Sequence, residues 1–593
     1  MQHHAPTSSP PSPPYGDNYG GNATTNYLSV NIVSGSETNA TKSTRVNEEN
    51  TPTFQKGGIN ENKVSSVRFY FFDKDGNAAK VKSANDTKVN YYDWPKNPAT
   101  SEPENNEDNN IEKIVTAQLV INTAEGDEVP ASIVAVINPT EELKSSTITS
   151  LNGNKATALN NVTGNYAIVK DADNPYGSFV MSNSVYADAN NNKMEAVEIG
   201  THMYTNEAAA LADPVTIYVE RVNAKAQVTC ALEKVTNITT KDGVQLDNVY
   251  KTNKQTNYST EKFDEGDTEL ENIDVYVQFL GWNVTCTTKK SNLMKDIKPT
   301  WTDNDVFGEG TVLKWNIPSR FRSFWAINPT LENNDYEFGD FEQAQLIKGF
   351  TSPNEEEAPI NFTYMQENAP SFVEGKHVSP TKLIVAGQLI DKNGEPLTLC
   401  QYGFFQYTYE GLQKKIASMC EIYTKTTNNN DETITISKIP FDKIKFVTAS
   451  SINKANPTTN GRYYSFAHLA TEDADDQTTE YYIGKTSNNP ATVKEVNDEL
   501  ERMGHVKIWE KGYTYWYADI QHLGLDGSLG AVGVIRNHIY AINITDLTGL
   551  GTPVFDDIET IYPEKPTDDD TYIGAEIKVL TWRLVNQDVS FAW

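Results

Sequence analysis

The sequence predicts an all-β protein built from two β-sandwich domains, the second elaborated with helical and loop insertions. Short runs of β-branched and aromatic residues, separated by Gly, Asn, Asp and Pro, recur along the whole chain. Long amphipathic helices do not alternate with these runs, which argues against a parallel α/β sheet. The 593 residues exceed the ~100–200 residues of an ordinary domain. The chain is therefore long enough for more than one core.

The N-terminal half contains the clearest strand patterns. Leu28, Val30 and Ile32 alternate with polar neighbours, which predicts a half-buried first strand. Asp-Gly-Asn at 75–77 predicts the turn of a hairpin. Residues 131–139 form a nearly continuous apolar run, which suits a central strand of a sandwich.

The second half repeats this pattern and adds two predicted helices. The run at 216–230 is long enough to bridge two domains, and we place a boundary near Val222. Residues 391–394 predict another hairpin turn. Asn- and Asp-rich stretches at 424–434 and 471–490 predict surface insertions. Helical spacing occurs at Leu412, Ile416, Met419 and Tyr423, and again at Val493, Val496, Leu500 and Met503, with Gly504 as a C-terminal cap.

The last segment of the chain is a long strand-like run that follows an Asp-, Glu- and Pro-rich linker. At ~3.3 Å per residue, residues 572–593 span about 70 Å when extended, enough to cross two sandwich domains. If the chain turns back at 586–588, it forms a shorter hairpin instead. Such a strand packs on its own domain or completes a sheet in the next molecule, and we favour the second alternative. Its apolar residues share one face at two-residue spacing: Ile573, Ala575, Ile577 and Val579, then Val589, Phe591 and Trp593.

These patterns divide the chain into four parts. In order, they are a flexible Pro-rich N-terminal tail, an N-terminal β-sandwich domain, a C-terminal β-sandwich domain with insertions, and a linker with the final strand. Their predicted bounds are 1–21, 22–222, 223–555 and 556–593.

The composition and motifs exclude several classes of function. The net charge is −30, whereas nucleic-acid binding needs clustered Lys and Arg, so no nucleic-acid partner is expected. No apolar run approaches the roughly 18 residues of a membrane helix. Zinc-protease, phosphate-loop and nucleophile-elbow motifs are absent. We therefore expect no catalysis and no cofactor.

The candidate binding residues have simpler structural interpretations. The segment DKDGN at 73–77 is similar to a calcium loop, but its Gly is at the fourth position rather than the sixth, which favours a turn. Acidic stretches at 171–175 and 302–308 are expected to be solvated loops, so no metal site is predicted. The aromatic run at 513–520 is compatible with a sugar-stacking platform, although its alternation is typical of sandwich packing. The four cysteines have no metal-finger spacing and are interpreted as buried thiols rather than disulfides: Cys230, Cys286, Cys400 and Cys420.

Several of these runs together resemble the type V pilins of Bacteroidales, and specifically the major subunit of the short (minor) fimbriae in the fimbrillin family. The matching runs are spread in order over most of the chain, and the last two are the most specific. They are ASIVAVINP, IYVERVNAKAQV, FLGWNVT, RSFWAINP, TKLIVAGQLIDKNGEPL, YTYWYADIQHLG, AVGVIRNHIYAINITDLTGLGTP and EIKVLTWRLVNQDV.

The resemblance implies a two-domain, transthyretin-like β-sandwich that is exported as an outer-membrane lipoprotein precursor. An Arg-specific or trypsin-like protease then removes the first strand, and the C-terminal strand of another copy fills the vacated groove. For this chain the resemblance implies a cut between Arg45 and Val46 and a removable strand that carries Leu28, Val30 and Ile32. The donor strand is the C-terminal run that ends at Trp593.

The resemblance also implies the partners. They are other copies of the chain in a head-to-tail filament, accessory and anchor fimbrial subunits, the processing protease, and host or bacterial surface receptors. The chain departs from the family in two ways: Cys230 is its first cysteine, so the lipid-bearing cysteine has no counterpart, and its second domain is longer.

The sequence also allows two alternatives to a shaft subunit. The first is an accessory or tip subunit of the same kind of fimbrium. The second is a monomeric surface lipoprotein that binds glycans through the aromatic residues near 513–517. A tip needs no donor strand, so the C-terminal strand favours the shaft.

Overall fold

The architecture is taken from a computed structural model. It describes residues 24–35, 61, 63–82, 88–94, 100–101, 111–123, 129–145, 160–163, 168–171, 174–183, 186–187, 193–194, 196–251, 274–288, 290–295, 326, 336–337, 346–350, 361–368, 380–403, 405–427, 434–448, 464–470, 479–522, 533–547, 549–554, 573–574 and 583–591. Strands dominate these residues and helices are few, which confirms the all-β prediction. Among them, no helix is both long and apolar enough to cross a membrane.

The N-terminal part forms a nine-stranded sheet with short accompanying hairpins. The strands are β1 (Thr24–Gly35), β2 (Val67–Phe72), β3 (Val81–Lys82), β4 (Lys88–Val89), β5 (Tyr91–Trp94), β6 (Thr100–Ser101), β7 (Ile111–Thr123), β8 (Ser132–Ile137), β9 (Asn160–Thr163), β10 (Ile168–Asp171), β11 (Asn174–Phe179), β12 (Met181–Asn183), β13 (Tyr186–Ala187), β14 (Lys193–Met194), β15 (Val197–Glu198) and β16 (Val215–Arg221). The helices are α1 (Glu141–Ser145) and α2 (Glu207–Ala212). The order in the sheet is β5-β2-β8-β12-β16-β1-β7-β6, and β15 also pairs with β8.

The core of the N-terminal part lies on one face of this sheet. Phe69 of β2, Ile133 of β8, Leu119 of β7 and Ile217 of β16 are all fully buried in the same apolar cluster. Because β2 and β7 are near opposite ends of the strand order, the sheet must curl so that its two ends share a core. The apolar run predicted at 131–139 is therefore a central strand, as expected.

Two facing sheets form the C-terminal sandwich. The strands before its insertion are β17 (Asn223–Cys230), β18 (Val249–Lys251), β19 (Tyr276–Thr285), β20 (Thr287–Thr288), β21 (Lys290–Asn292), β22 (Tyr336–Glu337), β23 (Phe362–Gln366) and β24 (Lys382–Ile390).

An insertion with its own core then interrupts the sandwich. It contains β25 (Leu399–Tyr402), β26 (Phe405–Thr408), α3 (Tyr409–Met419), β27 (Ile422–Thr427), β28 (Ile434–Lys438), β29 (Ile444–Thr448), β30 (Ser465–Leu469), β31 (Tyr481–Ile483), α4 (Val493–Glu501) and β32 (Lys507–Trp509). Short 3₁₀ turns lie at Phe441–Lys443 and Glu510–Gly512. The chain enters at Leu399 and leaves at Trp509, which are register partners in β25 and β32.

The last strands return to the sandwich as β33 (Tyr513–Asp519), β34 (His538–Leu547), β35 (Thr552–Pro553), β36 (Ile573–Gly574) and β37 (Arg583–Phe591). One sheet has the order β23-β17-β34-β37-β36 and the other β18-β19-β24-β33-β35. Val228 and Ile542 of the first sheet and Trp282, Leu383 and Trp516 of the second are buried in one cluster. This shared core confirms that the C-terminal strands form a sandwich.

Both predicted helices are present, but each is shorter than its apolar spacing indicated. Helix α3 ends at Met419, and Tyr423 lies in β27 instead. Helix α4 begins with a capping box between Thr492 and Glu495 and ends before Met503. After α3, the strand pairing of β27 takes over where the apolar pattern alone would continue the helix. After α4, the chain turns at Gly504, whose φ is 97°, in agreement with the predicted C-terminal cap.

Both predicted hairpin turns are confirmed. Asp73 Oδ1 accepts hydrogen bonds of 2.8 Å from the backbone N–H groups of Asp75 and Asn77. Asp391 Oδ1 accepts from Asn393 and from residue 395 in the same way. The glycine in each turn has a positive φ, 78° at 76 and 75° at 394, which glycine adopts without strain. These aspartates therefore shape turns.

Candidate assembly site

The first strand is an inner strand of the N-terminal sheet. It pairs antiparallel with β7 along its whole length and parallel with β16 from Val30 to Ser34. Leu28 and Val30 oppose Leu119 and Ala117, whose side chains are fully buried. If β1 were removed, the backbone donors and acceptors along two strands would lose their partners at once. We call the space between β7 and β16 the β1 groove.

The predicted processing site lies between β1 and β2. Arg45 and Val46 are outside the described residues, so their assignment stays a prediction from sequence. The described chain resumes at Glu61.

The C-terminal strand pairs with its own domain in this single chain. Strand β37 runs parallel to β34, with register partners from His538–Arg583 to Leu547–Phe591, and β36 pairs antiparallel with β37. Of the predicted donor residues, Ile573 lies in β36, and Val589 and Phe591 lie in β37. Ala575, Ile577, Val579 and Trp593 lie outside the described residues.

The C-terminal tail is neither a single extended strand nor a hairpin with its turn at 586–588. Strand β37 passes straight through 586–588, but β36 pairs antiparallel with it, so the chain reverses direction before β37. The tail also packs on its own domain here, which is the alternative that we did not favour; its transfer to another copy stays a prediction.

The β1 groove and strand β37 share a parallel pairing. The groove has one parallel neighbour, β16, and one antiparallel neighbour, β7. Strand β37 has the parallel neighbour β34, whereas its antiparallel neighbour β36 belongs to the same C-terminal tail. If β37 entered the groove in the orientation of β1, it would exchange its parallel partner β34 for β16 and gain β7 as an antiparallel partner.

A buried ion pair fixes the chain soon after the predicted processing loop. Glu61 Oε1 lies 2.9 Å from Lys225 Nζ and accepts a 2.5 Å hydrogen bond from the Tyr364 hydroxyl. The backbone carbonyl of Glu61 accepts a 2.9 Å hydrogen bond from Arg221 Nε. The exposed fraction of each of Glu61, Lys225 and Arg221 is 5% or less. Glu61 therefore ties this segment to β16, β17 and β23.

The surroundings of Glu61 favour its ionised form. Burial raises the pKa of a carboxyl group, but the Lys225 ammonium, the Tyr364 hydroxyl and Arg221 outweigh it and hold the pKa of Glu61 below its usual value. A carboxylate with a depressed pKa stabilises the fold above the unfolded-state pKa. This contribution is lost as the pH falls through the folded-state pKa.

We expect Glu61→Gln to destabilise the protein by about 3 kcal/mol at neutral pH, because it leaves Lys225 buried without its charge partner. The variant should also lose part of the decline in stability that the wild type shows on acidification below about pH 4.5, since Glu61 no longer titrates. Denaturant unfolding at neutral and acidic pH measures both effects.

A matched control is available on the surface. Glu410 forms a 3.1 Å ion pair with Lys414, but the Glu410 side chain is 63% exposed. Glu410→Gln should cost less than about 1 kcal/mol. Equal losses in the two variants would contradict the role given to Glu61.

Sequence reasoning missed these buried charges. Arg221, Lys225 and Arg536 stand inside runs rich in apolar and β-branched residues, IYVERVNAKAQV and AVGVIRNHIYAINIT, and are almost completely buried. Charged residues are rarely buried unless they are paired. Basic residues inside runs that predict central strands were therefore the available signal.

The aromatic run at 513–520 packs within the sandwich. Trp516 and Ala518 are buried in the main core, and Tyr515 is buried in a cluster on the other face of β33. The two faces are the ones predicted. Since Tyr515 is covered, the described residues offer no open stack of three tyrosines for a sugar.

In the part of the chain that the structure describes, the assembly site contains neither a cluster of metal-ligating side chains nor a disulfide. No group of three or more His, Cys, Asp or Glu side chains is arranged to hold a metal ion there. The four cysteines form no disulfide; Cys286, Cys400 and Cys420 are buried and Cys230 is partly buried.

One known protein family matches the region of the chain that contains the last strands of the C-terminal sandwich. Residues 507–588 match the family described as major fimbrial subunit protein type IV, fimbrillin, C-terminal. This range runs from β32 into β37. No curated protein matches the sequence.

Solved fimbrial and adhesion proteins are similar to the chain at low identity. A fimbrilin (FimA) from Porphyromonas gingivalis W83 is 11% identical, with 95% of this chain and 97% of that chain covered and a TM-score of 0.33. A putative cell adhesion protein from Bacteroides eggerthii is 11% identical, covering 63% and 78%, with a TM-score of 0.28. The tip fimbrial protein Mfa3 from P. gingivalis is 9% identical, covering 70% and 99%, with a TM-score of 0.25.

These TM-scores are low, so the architecture rests on the strand pairings given above. The sequence match of residues 507–588 agrees with the resemblance carried by the runs along the chain. Residues 507–588 are therefore similar to the C-terminal region of fimbrillin, a major fimbrial subunit protein.

Proposed function

We propose that this protein is a structural shaft subunit of a cell-surface fimbrium, which polymerises by protease-triggered donor-strand exchange and supports adhesion and biofilm formation. In this proposal the precursor is exported as an outer-membrane lipoprotein. Cleavage after Arg45 then releases β1, and the C-terminal strand of another copy enters the β1 groove. Accessory and anchor subunits would bind the ends of the filament.

The observation that carries the proposal is the position of β1. Because β1 lies between two strands, its loss would leave a groove with unpaired backbone on both sides. Such edges bind added strands through backbone hydrogen bonds. In its own sheet β37 is followed only by β36 of the same tail, so it can leave without separating any other strands, which supports its role as the strand that is added.

The geometry of exchange favours a filament over a closed ring or dimer. Each copy would accept a strand in its N-terminal sheet and donate one from its C-terminal sheet, so the two contact surfaces differ. Repetition of such a heterologous contact builds an open chain of subunits when its rotation does not close. The fimbrillin family is structural, and we propose no catalysis.

Brief digestion of the purified full-length protein with an Arg-specific protease tests the proposal. We expect loss of the N-terminal strand, followed by a ladder of oligomers on gels run under mild denaturation and by filaments in electron micrographs. An undigested sample incubated in parallel should remain monomeric. Complete cleavage of the loop without oligomers would contradict donor-strand exchange.

A further inference from the structure

The β1 groove and the donor strand are attached to one continuous stretch of backbone. Strand β16 of the N-terminal sheet ends at Arg221, and β17 of the C-terminal sheet begins at Asn223. Strand β16 lines the groove, whereas β17 pairs with β34, which holds β37. In this single chain, the angle between β16 and β17 therefore sets the angle between the β1 groove and the sheet from which the donor strand departs.

A segment of the C-terminal half crosses back onto the N-terminal half. Leu293 and Met294 are buried with Tyr70 of β2 and Val134 of β8, on the face of that sheet opposite its main core. Just before them, β21 pairs with β9 of the N-terminal half. The Ser182 hydroxyl of β12 donates a hydrogen bond to the Leu293 carbonyl. Residues 290–295 thus bridge the two halves, and we call this segment the crossing segment.

One buried guanidinium connects the crossing segment to the start of β34. Arg536 is fully buried, and its Nη1 and Nη2 donate to the carbonyls of Leu293 at 2.7 Å and Asn292 at 2.5 Å. Its Nε donates to Glu367 Oε2 at 3.0 Å, and its Nη2 pairs with the other oxygen of the same carboxylate. Glu367 directly follows β23. A planar guanidinium with several fixed donors restrains orientation as well as distance.

Further polar contacts close the same region. Arg221 Nη1 donates to Asn537 Oδ1 at 3.0 Å, and the backbone N–H of Asn537 donates to the carbonyl of Asn223 at 2.6 Å. Lys295 Nζ lies 3.5 Å from Glu220 Oε1, with both side chains almost completely buried. The end of β16, the start of β17, the start of β34 and the crossing segment therefore meet in one buried network, which we call the joint.

We propose that Arg536 is a positioning residue of the joint, and that the joint sets the stiffness and twist of the filament. This inference rests on the proposed function. Each subunit would accept a strand on one side of the joint and donate a strand from the other. Any angular freedom in the joint would then be repeated at every subunit, so a rigid joint gives a straight filament with a regular twist.

The energetics of buried ion pairs point to geometry as the role of Arg536. Desolvation of two charges offsets much of their attraction, so a buried pair is weak evidence for stabilisation. Bidentate pairing and two carbonyl contacts from one side chain do, however, fix how three segments are oriented. Lysine in this position would keep the charge but has no planar fork.

Imaging of filaments grown from full-length Arg536→Lys protein tests the inference. We expect filaments in similar yield whose persistence length is several-fold shorter and whose twist is more variable. Arg502→Lys is the matched control, because Arg502 pairs with Glu499 at 2.6 Å but its side chain is 73% exposed. Filaments of the Arg536 variant that are as stiff and as regular as those of the control would overturn the inference.

A measurement on the monomer separates failure of this inference from failure of the proposed function. Nitroxide labels at Glu142→Cys in the N-terminal half and Val244→Cys in the C-terminal half, both exposed, report the distance between the halves. The background carries Cys230→Ser. Arg536→Lys should broaden that distance distribution, and an unchanged distribution would contradict a role in positioning, whether or not filaments form.

A milder variant covers the case in which Arg536→Lys does not fold. Ser182→Ala removes only the hydroxyl that donates to Leu293, so it loosens the crossing segment and leaves the charges in place. It should shift the distance distribution and the persistence length in the same direction by a smaller amount. A folded Ser182→Ala protein with no shift in either quantity would count against the joint.

Discussion

Deletion of residues 572–593 is expected to abolish filament formation and to leave a folded monomer. The deletion removes β36 and β37, the last two strands at one edge of their sheet, where β37 pairs with β34. The remaining strands contribute many buried residues to the main apolar cluster of the C-terminal sandwich, among them Trp282 and Trp516. Digestion of the deleted protein, followed by electron microscopy and circular dichroism, measures assembly and folding separately.

A synthetic peptide of residues 572–593 provides the control for this deletion. Added to digested, tail-deleted protein, the peptide should bind the β1 groove and protect it, because it supplies the missing strand in trans. It should also stop assembly when added in excess to digested wild-type protein. Filaments that grow normally without the tail would show that the donor lies elsewhere in the chain.

Arg45→Ala is expected to block assembly triggered by an Arg-specific protease. With the loop intact, β1 stays paired with β7 and β16, and the groove does not open. Mass spectrometry of the new N-terminus and gels of the oligomers measure cleavage and assembly in the same sample. The expected difference is large, since the covalent connection to β1 is either cut or kept.

Lys42 lies three residues before Arg45 in the same segment and offers a matched control. Lys42→Ala should assemble normally with an Arg-specific protease. Arg45→Lys should assemble after trypsin and fail to assemble with the Arg-specific enzyme. Normal assembly of Arg45→Ala with that enzyme would place the processing site at another arginine.

Local structure was largely predictable from the sequence. The turns at 75–77 and 391–394 and the two faces of β33 follow from backbone preferences and two-residue alternation, which neighbouring residues determine. The helices were located correctly, although Tyr423 was assigned to the wrong element. Local periodicity cannot show where a tertiary strand pairing begins.

Long-range pairing was much less predictable. The apolar alternation of the final run indicates a strand, but the same alternation suits its own sheet or that of another copy. The joint shows this limit most clearly, because Arg536 contacts Asn292 and Leu293, more than two hundred residues earlier in the chain. Burial of a charge depends on such distant partners, which a single sequence does not reveal.

The base of the insertion has a consequence for how such a protein can change over time. The chain enters the insertion at Leu399 and leaves it at Trp509, and these two residues face each other across one strand pair. The insertion also fills its own core, with Leu412, Ile416 and Leu500 at its centre. Its sequence and length can therefore change without moving β24 or β33. Under the proposed function, subunits that differ only in this insertion would remain interchangeable in one polymer.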